Sequence, residues 1–585
     1  MLDIGIDFGS TYTVVSVYDH KRGEPEIKPP TKFERGMPTV LAFDTKGNVR
    51  IGSKARSMSD DKCRKFRTFK MMLAEDDPER LSARGFNAKN SPERITALFL
   101  NKMLTELFEV TSQLDVDHLV IGAPLIWNES YETVDGRAKL RDICRSLPVL
   151  QSPSGNECRV QVVSEPEAAS AYFVYNYREA TGHNLNGRVL LIDYGGGTLD
   201  ITLTEIHTVH GTTAEEDAIE INALYRTGAG ENVERGEIGH AGIIYIETLV
   251  RNAVKKALPG VDVPYDSRFA AAVDVMEEEL QKNKEDIDEN FYTYGVDPNN
   301  LNEDDMDSDY IFTNRVMYDG TPIPVSYQLM AKTYDEVIRK LFDSKLREVT
   351  AYMDQKGWKW GTDAEESFRI ALVGGFSNYY LVREQVDSFF KIGSQDTRKA
   401  NIIRNDEERE LAVSLGASLV AAGVMRIRNT APFSIGVASR SSHSFNISYG
   451  LQYGEEIEFG KEYIQCDEKG NPVLISAING VEQFLINLSG DPRGVQLYRA
   501  KSQFAEQIRA GMGNQYAKVF GFSLDSSGII TLHVHQYDLI SMRYVGTPNP
   551  IELTSIKNLF DPTNIDPKEA KMLSDSVAHL LKTAR

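Results

Sequence analysis

Two segments carry the residues whose types and spacing could do chemistry: IGIDFGSTYTVV from Ile4, and LLIDYGGGTLDIT from Leu190. In each, an apolar run delivers an aspartate, Asp7 or Asp193, to a strand end. An aromatic residue, glycine and small or hydroxylated residues follow before a second β-like run. The pattern predicts a β-hairpin with a glycine-rich turn, whose consecutive N–H groups, unobstructed by a Cβ, can point into one anion-binding concavity. Ser10, Thr11, Tyr12 and Thr198 add hydroxyl donors. Asp7 and Asp193 suit a hydrated magnesium ion, a hard cation that keeps several waters. Glycine after an aspartate-ended strand is ordinarily just a turn. Here Asp7-Phe8-Gly9 aligns with Asp193-Tyr194-Gly195, a duplication that turn chemistry does not require, so two related halves are expected to close around a nucleotide. Asp-Phe-Gly also occurs in protein kinases. No His-Arg-Asp loop lies upstream and no glycine-rich strand pair leads to a lysine strand, so that reading is set aside.

The elements that must position these residues alternate between strand and helix. MPTVLAF and VRIGS read as short strands, and CRKFRTFKMML carries Lys70 on a helix or turn. SPERITALFLNKMLTELFEVT is a helix with Ser91 as N-cap and Pro92 at its first position. VDHLVIGAP is a buried strand followed by a helical stretch to Leu147, and RVQVVSEPEAASAYFVY is a strand entering a helix with Glu165 at the junction. Beyond the second hairpin, a helix-rich stretch from Gly242 to Lys284 leads to an acidic segment, about 285–309, read as a solvated insertion. FRIALVGGFSNYYLVREQVDSFF is a third strand, glycine and helix junction, where Gly374 and Gly375 let backbone approach a ligand beside a helix N-terminus. LAVSLGASLVAAGVM closes the alternation as a small-residue helix suited to close packing. This is α/β architecture.

The chain has 585 residues, too many for one core, with 41% hydrophobic and 26% charged residues. A net charge of −20 disfavours nucleic acid or an anionic membrane as partner, while leaving room for a small nucleotide in a local pocket. No apolar run approaches the length of a membrane span, and the start lacks the pattern of a signal peptide. Cys63, Cys144, Cys158 and Cys466 form no Cys-x-x-Cys pair, and a reducing cytoplasm is the expected compartment.

In the order and spacing of the first hairpin, SEPEAASAY, IDYGGGTLDI and LVGGFSN, residues 1–424 resemble the 70-kDa heat-shock chaperone family of the actin-like ATPase superfamily. The resemblance implies a two-lobed actin-like ATPase domain binding ATP or ADP with magnesium, with potassium as a further candidate ion. It implies that Asp7 and Asp193 hold the metal through water, and that Gly9, Ser10, Thr11, Tyr12, Gly195, Gly196, Gly197 and Thr198 contact phosphates. Lys70 would orient the attacking water, Glu165 and Asp200 would complete the acidic cluster, and Gly374 and Gly375 would border the adenosine. Glu279 and Lys282, three positions apart in MEEELQKNK, would face the ribose. Such a set suffices for phosphoryl transfer to water, which depends on positioning and charge neutralisation rather than a covalent nucleophile.

The chain departs from the family pattern in four places. The β insertion between Leu73 and Ser91 is short, and Phe376 and Asn378 stand where a serine and an arginine commonly line the adenine pocket. The glycine pair of the second lobe has become IGHAG around Gly239, and VMRIRNTAPFSIGV replaces an acidic, leucine-rich linker. After Ala431 short β-like runs predict a mostly antiparallel sandwich over 425–545, and FGFSLDSSGIITLHV resembles part of the family's peptide-binding domain. In that run His533 and His535 read as ordinary strand alternation rather than a metal pair. Residues 546–585 are expected to be a short helical tail, without room for the family's long helical lid. The leading expectation is a chaperone-like ATPase whose partners are extended polypeptide and a J-domain co-chaperone or nucleotide exchange factor. A filament-forming ATPase and a small-molecule kinase are the alternatives on the same fold.

Overall fold

The computed structural model describes residues 2–27, 36–59, 62–111, 115–124, 127, 136–151, 157–183, 185–209, 218–229, 241–301, 311–313, 315–358, 368–391, 402–403, 411–427, 431, 434–440, 444–452, 455, 457–467, 469–475, 484–487, 495–554 and 559–583. The chain forms two compact units: Met1–Ile126 with Asp142–Ile427, and Trp127–Arg141 with Arg428–Arg585.

The first unit is built twice from one plan. Strand β1 (Leu2–Phe8) pairs antiparallel with β2 (Tyr12–Asp19) and parallel with β4 (Val116–Ala123). With β3 (Glu24–Ile27) and β5 (Arg159–Ser164) the sheet order is β3-β2-β1-β4-β5, and a short strand, Met37–Pro38, pairs with β2. In the second sheet β6 (Gly187–Tyr194) pairs antiparallel with β7 (Leu199–Val209) and parallel with β9 (Phe368–Val373). The order there is β8-β7-β6-β9-β10, with β8 at Ala218–Ala229 and β10 at Ile402–Ile403. The central strands are almost wholly buried and apolar, as expected of sheets covered on both faces.

Helix α1 (Pro92–Thr111) starts as expected, with the Arg94 N–H donating to Ser91 Oγ. Helix α2 (Glu165–Thr181) begins in a capping box between Ser164 and Glu167 and ends at Gly182 in the left-handed region, so Glu165 is fixed at the first turn. One core cluster joins Val120 and Val163 of the first sheet, Val189, Leu191 and Val373 of the second, and the small residues of α2 and of α6 (Ala412–Ala421). The glycines of this cluster allow contact at backbone level. A Cβ on Gly5 would lie 2.3 Å from Ser414 O, and one on Gly416 only 1.7 Å from Ala168 O. Ser16 Oγ donates to Ser414 O at 2.7 Å, tying β2 to α6.

The acidic insertion is partly structured. Helix α3 (Gly242–Ala257) and α4 (Ser267–Lys282) are followed by α5 (Lys284–Tyr294), and Ile287, Phe291 and Leu301 are buried in the core of the second sheet. The expectation of a solvated segment is therefore corrected over 285–301. Its acids colour the exposed face of a helix whose other face carries the apolar residues. Residues 302–310 and the Gly239 region lie outside the described residues.

The second unit is a sandwich. Its five-stranded sheet runs β12-β11-β14-β15-β19: β11 is Ser434–Arg440, β12 Phe445–Leu451, β14 Phe484–Asn487, β15 Val495–Ala500 and β19 Phe560–Pro562. The four-stranded sheet runs β13-β16-β17-β18: β13 is Tyr463–Ile464, β16 Tyr516–Leu524, β17 Ile530–Asp538 and β18 Arg543–Glu552. Ile435, Phe484, Ile486, Phe520, Phe522 and Leu532 fill the space between them. His533 shares a hydrogen bond with Ser523 Oγ at 2.7 Å, and His535 pairs with Glu462. The expected helical tail over 546–585 is corrected: it contributes the rest of β18 and all of β19 before helix α7 (Pro567–Thr583). Residues 127–141 join this unit through Arg141, which is buried and donates to Asp525 at 2.7 Å and Glu552 at 2.6 Å.

A methyl group cannot enter the α6–α2 contact without moving backbone. Gly416→Ala should lower the unfolding free energy of the first unit by about 1–3 kcal/mol in urea titrations, whereas a loss well under 1 kcal/mol would show that the two helices separate freely.

Candidate active site

The two hairpins meet. A Cβ on Gly196 would lie 2.0 Å from Thr11 Oγ1, and one on Gly197 would lie 2.4 Å from Ser10 Oγ and 2.7 Å from Met71 Sδ. Only glycine permits the second turn to come this close to the first. The first residues of α3 rest on the same turn, the Gly242 and Ile243 N–H groups donating to Gly195 O and Gly196 O at 3.2 and 2.6 Å. Gly374, at φ +82°, lies behind Asp193, where a Cβ would be 2.5 Å from Asp193 Oδ1. The turns border a cleft of about 950 Å³ lined by Asp7, Gly9 to Tyr12, Lys70, Glu165, Asp193, Gly195 to Thr198, Gly374 and Gly375.

Register explains why the acids converge. Asp7 sits opposite Val14 near the end of β1, and Asp193 sits opposite Asp200 at the corresponding place in the second sheet. Lys70 precedes a short 3-10 turn, Met71–Ala74, and its Nζ donates to Glu165 Oε1 at 2.5 Å, with both residues under a tenth exposed. Three carboxylates, Asp7, Glu165 and Asp193, thus share the influence of one buried ammonium, and Asp200 lies next to Asp193. Burial, then the charge of Glu165, pushes the Asp7 carboxyl up to about 7, against the pull of Lys70. Burial, then Glu165, Asp200 and Asp7, drives Asp193 well above the usual carboxylate range. The pocket is short of positive charge, and its oxygen donors fit a hard divalent cation. Among the described residues no three His, Cys, Asp or Glu side chains converge closely enough to ligate a metal directly. Asp200 does not line the cleft; it is fully buried behind Asp193.

On α4 the polar positions that line the cleft are Asp274, Glu277, Glu278 and Gln281, alongside the apolar Ala271, Val275 and Leu280. Glu279 and Lys282 do not line the cleft. Glu279 is buried beside Arg315 and Lys282, and Lys282 is half exposed, paired with Glu278. The expected ribose pair is thus displaced round the helix. Arg56, not anticipated from sequence, donates to Tyr12 Oη at 2.8 Å and pairs with Glu277 at 3.2 Å, and Tyr12 Oη donates to Gln281 Oε1 at 2.9 Å. Burial raises the Glu277 carboxyl to about 7 despite Arg56.

An aromatic wall closes the end next to Gly375. Phe376 stacks on Tyr379 with centroids 5.7 Å apart and packs edge-on against Tyr194, while the Tyr245 and Tyr379 hydroxyls share a 2.7 Å hydrogen bond. Phe376, Asn378, Tyr379 and Tyr245 line the cleft. The adjacency of Phe376 and Tyr379 to the glycine pair was the sequence signal for this wall; nothing local pointed to Tyr245.

Two sheets of one plan, glycine turns face to face, and acids with a lysine between them define the actin-like ATPase class of fold. Residues 3–213 match the family model described as Hsp70 protein, a family whose members are chaperone-type ATPases. No helix among the described residues is long and apolar enough to cross a membrane.

Removing Lys70 alone leaves Glu165 buried without its ammonium. Lys70→Ala should cost about 3–5 kcal/mol of stability. Lys70→Met combined with Glu165→Gln should recover most of that loss in thermal unfolding, and failure to recover it would mean that the pair itself stabilises the fold beyond compensating a buried charge.

Proposed function

We propose that this chain is an ATP hydrolase of the chaperone type, which binds ATP with magnesium between the two hairpins, transfers the γ-phosphoryl group to water, and uses its sandwich unit to hold extended polypeptide. The observation that carries the reading is the approach of the two glycine turns over a lysine among carboxylates. Backbone N–H groups and the hydroxyls of Ser10, Thr11 and Thr198 would receive the phosphates. Asp7 and Asp193 would hold magnesium through its waters, and the bound ion supplies charge neutralisation at the phosphate oxygens. Lys70, oriented by Glu165, would hydrogen-bond the attacking water and a γ-phosphoryl oxygen, a role felt mostly in the transition state. As that water's oxygen bonds to phosphorus, the bond to the β–γ bridging oxygen breaks; ADP leaves with the electron pair and the water's proton passes to solvent. The aromatic wall of Phe376 and Tyr379 suits the flat face of a base. A J-domain protein or an exchange factor is the accessory partner this reading implies.

Asp193→Asn should leave the circular dichroism spectrum unchanged and slow single-turnover ATP hydrolysis by at least about a hundredfold; an unchanged rate in the folded variant removes Asp193 from the mechanism. Phe376→Ala should weaken ATP binding by about 1–3 kcal/mol, roughly 5- to 150-fold, through lost base stacking, and equal affinity would place the base elsewhere. Turnover stimulated by unfolded polypeptide separates this reading from a filament former, which would sediment with ATP, and from a kinase, which would need a small-molecule acceptor.

A further inference from the structure

In a sandwich, the face of each sheet turned from the partner sheet is ordinarily polar. The five-stranded sheet breaks that rule. Its inner face carries Ile435, Phe484, Ile486, Tyr498 and Ala500, and its outer face carries Ala438, Phe445, Leu485 and Leu497, all buried. Ile447, Tyr449 and Val495 extend the outer patch. What packs on this face is α7, through Leu573 and Val577, one turn apart and at most 1% exposed, with Met572 partly buried beside them. One polar contact is added: Ser576 Oγ accepts the main-chain N–H of Phe445 at 3.1 Å, on the edge strand β12.

The contact is small and imperfect. Two side chains fill it at the centre, most other described residues of α7 are at least partly exposed, and the hydroxyl of Tyr449 is buried with no hydrogen-bond partner among the described residues. A buried hydroxyl left unpaired opposes the docked state. The surface beneath α7 is an apolar sheet face bordered by an edge strand whose main-chain donor a helix hydroxyl currently satisfies. Those are the requirements of an extended apolar segment, which offers carbonyls to the edge and alternate side chains to the face.

Resting on the polypeptide-holding role proposed above, we propose that α7 is an intramolecular occupant of the polypeptide-binding face, so that binding an extended apolar segment requires α7 to leave. The free chain is then a low-affinity form, its apparent affinity reduced by the fraction of molecules in which α7 is undocked. The occupant that displaces α7 is an apolar segment in extended conformation.

The test uses the full chain and a fluorescein-labelled nonapeptide with a central trileucine flanked by arginines. Leu573→Asp with Val577→Asp should tighten peptide binding at least tenfold by fluorescence anisotropy. In the unsubstituted chain, saturating peptide should raise amide hydrogen exchange across 567–579, a measurement that does not depend on how the variant folds. Equal affinities, with the protection of α7 unchanged by peptide, overturn self-occupation and leave the polypeptide-holding role standing. Weaker binding by the variant overturns it as well, because α7 would then be part of the site. No binding by either chain, and no change in exchange, overturns both readings.

Discussion

The buried pair of Lys70 and Glu165 is the constraint around which the first unit is organised. An ammonium and a carboxylate are costly to strip of water unless they meet at close range. They come from remote stretches of chain, one from a 3-10 turn and the other from the first turn of α2. The capping box at Ser164 fixes Glu165, and the packing of α2 on α6 through Gly416 fixes the helix. Asp7 and Asp193 then arrive beside the pair at the ends of β1 and β6, leaving a pocket with more negative than positive charge.

How much of this is legible in sequence depends on whether a residue's partners are local. Asp7, Asp193 and the glycines between them belong to hairpins, where spacing alone determines what faces what. Glu165 was legible for the same reason, since a strand, a cap and a proline mark its helix start. The face of α4 was not. MEEELQKNK is charged on nearly every side, so periodicity gives no phase, and the phase is set by Phe269, Ala272 and Met276 packing on the second sheet. Those three turn Asp274, Glu277 and Gln281 to the cleft and Glu279 away from it. Residues 285–301 misled for a related reason: acidic composition describes the exposed face of α5 and hides Ile287 and Phe291 on the other. Arg56 had no sequence signal at all, because none of its partners is local: Tyr12 lies 44 residues away, and Asp274 and Glu277 lie more than two hundred residues away along the chain.

The sandwich poses the opposite problem. Its strands alternate visibly, and the inner face could be read from Phe520, Phe522 and Leu532. A second apolar face on the five-stranded sheet was concealed, since Ala438, Phe445, Leu485 and Leu497 lie on four strands and look in sequence like ordinary variation. Their meaning emerges only when register places them side by side. Likewise β19 is three residues long and ends in proline, too short to announce itself, yet it completes the sheet beside β15. That short strand ties the chain down just before α7.

Arg141 adds a topological consequence. The composition of the chain changes near Ala431, which makes that point look like the seam between an ATPase half and a sandwich half. The sandwich nevertheless takes Arg141 from far upstream and sets it against Asp525 and Glu552. A gene rearranged at the apparent seam would hand its new neighbour a sandwich with two acids deprived of their guanidinium. The sandwich unit is therefore not one continuous stretch of chain: a cut at the apparent seam would leave behind residues 127–141, which belong to it.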